Sequence, residues 1–140
     1  MPGSEDEVAA ILDFCSTHRV AVVPFGGGTS VVGGLDPIRG EFDAVITLDL
    51  RRFDALLWLD DVSGEAELGA GVTGPEAERL LGERGFSLGH FPQSFRFASI
   101  GGFAATRSSG QDSAGYGRFN DMVRGMHVIT PAGRDRKSVV

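Results

Sequence analysis

Residues 24–35 read "PFGGGTSVVGGL", with five glycines and two hydroxyl side chains in twelve positions, directly after the apolar run "VAVV". A backbone without Cβ atoms can aim successive N–H groups into one concavity, which is the geometry of an anion nest. Thr29 and Ser30 add hydroxyl donors. That chemistry suits a phosphate or pyrophosphate, and the alternative is a turn whose glycines only supply backbone geometry. Two familiar phosphate loops are excluded. A Walker loop needs a lysine after its last glycine, and none occurs from 24 to 38. A Rossmann fingerprint needs the loop to open a helix, yet "VVGGLDPIRG" has no helical period and carries Pro37. Asp49 stands at the distance of a ribose-binding acid only by accident of abundance. A phosphate here is therefore held without a following helix dipole.

The second stretch with chemical potential is 89–121, rich in Gly, Ser, Phe and Asn and poor in periodicity. So long a stretch without regular structure is usually functional or unstructured. Its phenylalanines at 91, 95, 97, 103 and 119 argue against disorder and read as core filler. Ser94, Ser99, Ser108 and Ser109 are hydrogen-bonding groups or ordinary turn formers, and Arg107 is a ligand contact or a surface ion-pair partner. Tyr116, between two glycines, touches a ligand or anchors a loop. His90 and His127 have no Asp or Cys partner at catalytic spacing, which speaks against a triad or metal site.

The elements that must position these residues follow from pattern. Ser4 and Glu7 have capping-box spacing, and Val8, Ile11, Leu12 and Cys15 recur at helical spacing, predicting a helix to about Thr17. Strands are expected at 20–24, ended by proline, and at 44–50. "ALLWLDD" (55–61) and "GEAELGAG" (64–71) read as a hairpin about "VSG". A second capping box, Thr73 with Glu76, starts a helix that carries Pro75 in its first turn and is closed by Gly85. "MVRGMHVIT" (122–130) is a strand, "PAG" a turn, and "RKSVV" the beginning of a partner strand.

With 140 residues the chain has the size of one domain. Thirteen Lys plus Arg against nineteen Asp plus Glu give a net charge of −6, with basic residues scattered except for "GRDRK" at 133–137, so a nucleic-acid face is not expected. Cys15 is alone, which excludes an internal disulfide framework and a cysteine zinc cluster. No apolar run approaches the roughly 20 residues of a membrane span, and the cytoplasm is the expected compartment.

"PFGGGTSVVGG" resembles the pyrophosphate loop of the vanillyl-alcohol-oxidase (PCMH-type) FAD-binding domain, P-x-GGGTS-x-x-GG. "FPQSFRFASIGGFAATRSSGQDSAGYGRFNDMVRGMHVITPAG" (91–133) resembles that family's second cofactor segment. Its wording is closest to the alkylglycerone-phosphate synthase branch, where P-x-S-x-x-F-S/A-x-x-GG precedes T-R-A/S-S-G and Y-G. Two segments in the right order are far more specific than either alone.

The resemblance implies an α+β, PCMH-type fold: a small N-terminal α/β lobe (5–54) and a second, mixed-sheet lobe (55–140) cut short at its C-terminus, with the substrate domain absent. It implies that Pro24, Phe25, Gly26, Gly27, Gly28, Thr29 and Ser30 cradle the FAD pyrophosphate. Pro92, Gln93, Ser94, Ala98 and Ser99 would line the dinucleotide's path, with close approach at Gly101 and Gly102. Ala105, Thr106, Arg107 and Ser108 would lie toward the flavin. Residues 20–40 contain no histidine or cysteine, so the FAD is expected to be non-covalent. The expected activity is oxidation of a small-molecule alcohol or 2-hydroxy acid, with hydride passing to flavin N5. The alternatives are a redox-neutral, FAD-dependent transferase of the alkylglycerone-phosphate synthase kind and, from another class, a stand-alone nucleotide-binding module. Catalytic residues are expected in the missing lobe, leaving this chain by itself without turnover. A sheet edge ending at "SVV" favours self-association, as in a homodimer, or local disorder over a closed monomer.

Overall fold

The computed structural model describes residues 1–138. It opens with helix α1 (Glu5–Thr17), whose N-cap Ser4 accepts the Glu7 N–H at 3.2 Å. The Glu7 carboxylate reaches back one residue further than a capping box requires, to the Gly3 N–H at 2.6 Å. Glu5, Asp6 and Glu7 crowd the first turn, where the helix dipole favours negative charge. Val8 and Cys15, one heptad apart, are buried.

Strand β1 (Val20–Phe25) pairs in parallel with β2 (Ala44–Asp49), from Val20 opposite Ala44 to Phe25 opposite Asp49. Pro24 does not end β1 as the sequence suggests. The Phe25 carbonyl accepts the Leu50 N–H at 2.9 Å, so Phe25 faces β2 and the missing N–H of Pro24 falls on the outer edge, where the ladder loses nothing. The crossover from 26 to 43 contains no helix, as its sequence implies.

Strands β3 (Leu56–Asp60) and β4 (Glu65–Leu68) form the expected hairpin, with a register shift between Leu56 and Trp58. Helix α2 (Gly74–Gly82) follows, but its predicted capping box does not form: Thr73 makes no side-chain cap bond, and Glu76 instead binds Arg79, at 2.6 and 2.9 Å. A guanidinium one turn away is the stronger partner for that carboxylate. Gly85, at φ +81°, turns the chain beyond the helix, and the Phe86 N–H returns to the Leu81 carbonyl at 3.0 Å.

The stretch 89–121 holds three short helices that periodicity does not reveal: α3 (Ile100–Ala105), α4 (Ser113–Tyr116) and α5 (Phe119–Met122). None is long enough to show a hydrophobic stripe. Their core is Ala98, Phe103 and Phe119, packed with Leu88, Ile100, Met122 and Val123, so the phenylalanines at 103 and 119 are core, whereas Phe91 and Phe95 are only partly buried and Phe97, read from the sequence as core filler, is exposed. Strands β5 (Gly125–Thr130) and β6 (Gly133–Ser138) close the described chain as an antiparallel hairpin, while Val139 and Val140 of the predicted last strand lie outside the described residues. From residue 55 onward the described strands make two separate two-stranded sheets rather than one joined mixed sheet. His127 on β5 meets Glu5 of α1 at 3.3 Å. Among the described residues no helix is long and apolar enough to cross a membrane, and no cluster of His, Cys, Asp or Glu could hold a metal ion.

Candidate functional site

The glycine loop leaves β1 and folds onto the second segment with almost no space between them. A Cβ at Gly27 would overlap the Phe97 carbonyl and stand 2.7 Å from Ala98 Cα; one at Gly26 would overlap the Ser99 hydroxyl. Backbone thus lies directly on backbone, and only glycine permits it. Gly28 then takes φ +70° beside the Phe25 ring, a conformation that a Cβ penalises.

Among the described residues, none of the backbone N–H groups from Gly26 to Ser30 donates to a protein acceptor. The hydroxyls of Thr29, Ser30 and Ser94 likewise have no protein partner there. Polar backbone rarely goes without acceptors unless water or a ligand supplies them. The donor set is therefore five consecutive amides and two neighbouring hydroxyls, which fits the anionic oxygens of a diphosphate.

The second segment is the opposite in character. Ala98 and Ser99 are buried, and Ser99 forms an isolated antiparallel bridge with Thr73. The Gly74 N–H bonds the Ala98 carbonyl at 3.3 Å, Ile100 N–H the Val72 carbonyl at 2.8 Å, and Gly101 N–H the Ala70 carbonyl at 2.9 Å. Ser99 Oγ caps α3 by accepting the Gly102 N–H at 3.3 Å, and Thr106 Oγ1 donates to the Gly102 carbonyl at 2.8 Å. Of the hydroxyls expected to meet the dinucleotide, these two are already engaged within the protein.

Arg107, at φ +51°, places its Nε 3.5 Å from Asn120 Oδ1, and no carboxylate pairs with it among the described residues. Ser108 shares a 3.0 Å hydrogen bond with Nε2 of His90, which is 3% exposed and lies edge-on to Phe103. Burial among these rings pushes the His90 imidazole below its ordinary value. His90 is thus a core residue that ties the two ends of the segment together.

Pro92 and Gln93 face Ser109, Gly110 and Gln111 across a cleft of about 360 Å³. Gly110 is the last residue of "TRSSG" and Gln111 directly follows it, and neither is among the residues that the sequence assigns to the cofactor. The Gln111 N–H bonds the Phe91 carbonyl at 3.2 Å, and Gly110 packs on the Phe91 backbone, which is what closes the cleft's far wall. Ala105 and Tyr116 are exposed, and no contact places either beside the glycine loop.

A loop of free amides seated on a hydrogen-bonded second segment, in an α+β frame, defines a nucleotide-binding domain. A family profile described as an FAD binding domain matches residues 1–137. The chain belongs to that family, the PCMH-type FAD-binding domains, and FAD is the cofactor its members bind. It is 40% identical over 134 residues to the alkyldihydroxyacetonephosphate synthase of Trypanosoma brucei brucei, covering 95% of this chain and 22% of that enzyme. It is 34% identical over 131 residues to the FAD-linked oxidoreductase YgcU of Escherichia coli K12, covering 94% of this chain and 26% of that protein. A solved alkyldihydroxyacetonephosphate synthase superposes with a TM-score of 0.91 at 38% identity, over 97% of this chain and 26% of that one. The chain thus spans about a quarter of the length of these relatives.

Proposed function

We propose that this domain binds FAD for an enzyme of the alkylglycerone-phosphate synthase kind, a transferase that exchanges an acyl for an alkyl chain without net oxidation. The observation that carries the FAD site is the row of unpaired amides from Gly26 to Ser30, seated on Phe97–Ser99. Thr29, Ser30 and Ser94 add hydroxyl donors, Gln93 and Pro92 stand at the cleft, and Arg107 and Ser108 lie past the C-terminal end of α3. Bound there, FAD supplies a two-electron acceptor and donor. The residues of this chain hold and orient it, exclude water from the seam between the segments, and keep it without a covalent tether, since 20–40 has no histidine or cysteine. The division into a first lobe at 5–54 and a second from 55 onward belongs to the same proposal.

The transferase reading is favoured by the wording of 92–117 and by the 40% identity to a synthase against 34% to an oxidoreductase. Oxidation of an alcohol or 2-hydroxy acid is the second reading, and the name of that oxidoreductase relative supports its redox class alone. The test uses the full-length protein, purified with its flavin. Given an acyl-dihydroxyacetone phosphate and a fatty alcohol, it should form the alkyl ether with no external electron acceptor. Acceptor reduction driven by a simple 2-hydroxy acid, without ether formation, would select the second reading. Absence of flavin absorbance would defeat both.

A further inference from the structure

No lysine or arginine lies between Pro24 and Ile38, so the amide loop carries no countercharge of its own. The next strand brings a guanidinium toward it, ion-paired to a carboxylate but with N–H donors to spare. β1 and β2 end side by side, with Phe25 opposite Asp49, and Arg51 follows two residues later. Arg51 Nε donates to both Asp49 oxygens, at 3.0 and 3.1 Å, and Nη2 to Oδ2 at 2.7 Å. Its backbone N–H bonds the same carboxylate at 3.0 Å. Its Cζ sits 5.4 Å over the Phe25 ring, the ring whose Cζ would be 3.2 Å from a Cβ on Gly28. Behind it, Gly71 packs against the Leu50 carbonyl and Arg51 Cα, pinning the backbone.

A guanidinium has five N–H donors, and the Asp49 fork uses two of them. The other three have no protein acceptor among the described residues, and the side chain is 55% exposed. Arginine normally loses rotamer freedom on binding an anion; here Asp49 and Phe25 already hold the group, so that cost is met within the fold. The Arg51 hydrogen bond also holds the Asp49 carboxyl below its ordinary value, which keeps the pair ionised at neutral pH.

We propose that Arg51 is a diphosphate-binding residue of this domain, donating its free N–H groups to a dinucleotide oxygen beside the Gly28 turn, with Asp49 and Phe25 as its positioning residues. This rests on the FAD reading above. Phe25 joins the site in this way through its ring rather than its backbone.

The test is titration of the full-length apoprotein with FAD at low and high salt. Arg51→Gln should weaken binding about tenfold at low salt, the equivalent of one charge-assisted hydrogen bond, with the gap to the parent narrowing at high salt. Arg51→Lys, which keeps the charge and loses the fork, should fall between, and Asp49→Asn should weaken binding by a smaller factor. Unchanged affinity in Arg51→Gln would overturn the assignment while leaving the FAD reading intact. So would an equal loss at both salt levels, which indicates structural damage. A parent protein that binds no FAD would defeat the reading and this assignment together.

Discussion

The glycine loop and the second segment meet along one seam, yet they are built on opposite principles. The glycine loop spends none of its amides from Gly26 to Ser30 on the protein, and leaves Val31 and Val32 95% and 87% exposed. The second segment spends most of what it has: its amides bond the carbonyls of residues 70, 72 and 94, its Ala98 carbonyl accepts the Gly74 N–H, Ser99 and Thr106 bond the ends of α3, and Phe103 beneath it is 1% exposed. One is a presenting surface and the other a wall. A loop with so few bonds of its own rests on the wall through Gly26 and Gly27, where a Cβ would overlap Phe97 and Ser99.

The comparison breaks first at the wall. Phe103→Ala removes the largest fully buried side chain and should cost about 3–5 kcal/mol, read as a fall in the urea midpoint, with FAD binding lost in step. A cost near zero would mean the wall is not the scaffold. Next comes the seam. Gly27→Ala drives a methyl into the Phe97 carbonyl and should cost about 1–3 kcal/mol of stability as well as FAD affinity. If stability is unchanged and only affinity falls, the loop does not rest on 97–98 as described. Replacement by Asp is expected to abolish FAD binding through charge as well as sterics.

A smaller effect concerns His90. Its imidazole is held below the ordinary histidine value, so as the pH falls below about 6.5 the unfolded chain takes up a proton that the folded chain resists. Stability present above that pH should decline on acidification until the folded-state value is reached. His90→Phe should remove this acid component, and its persistence in the variant would assign it elsewhere. The smallest effect on folding is expected at Thr29→Ala, within about 0.5 kcal/mol, because the hydroxyl has no protein partner. FAD affinity should nevertheless fall severalfold. Loss of stability there would show that the loop is structural rather than presenting.

Much of this architecture is written in local pattern. α1, the β1 and β2 strands and the β3–β4 hairpin each occur where short-range spacing puts them, because a 3.6 or 2 residue period and a Ser or Gly boundary act within one element, whereas the strand expected over 122–130 begins only at Gly125, since Met122 ends α5. The glycine loop is legible for the same reason: its amides are freed by composition. What pattern could not show are interactions whose partner lies far along the chain. Pro24 continues a strand because of where β2 lies. The helices in 100–122 form over a core of Ala98, Phe103 and Phe119 that has no repeating interval. Gly27 is required by the Phe97 carbonyl, 70 positions away in the sequence, and Arg51 joins the loop through Asp49 and Phe25. By itself the sequence determined where backbone without Cβ atoms lies next to hydroxyl donors, since both are properties of residues. Only the tertiary structure decided what that backbone rests on and which charge stands beside it, since both depend on contacts between segments that no local period encodes.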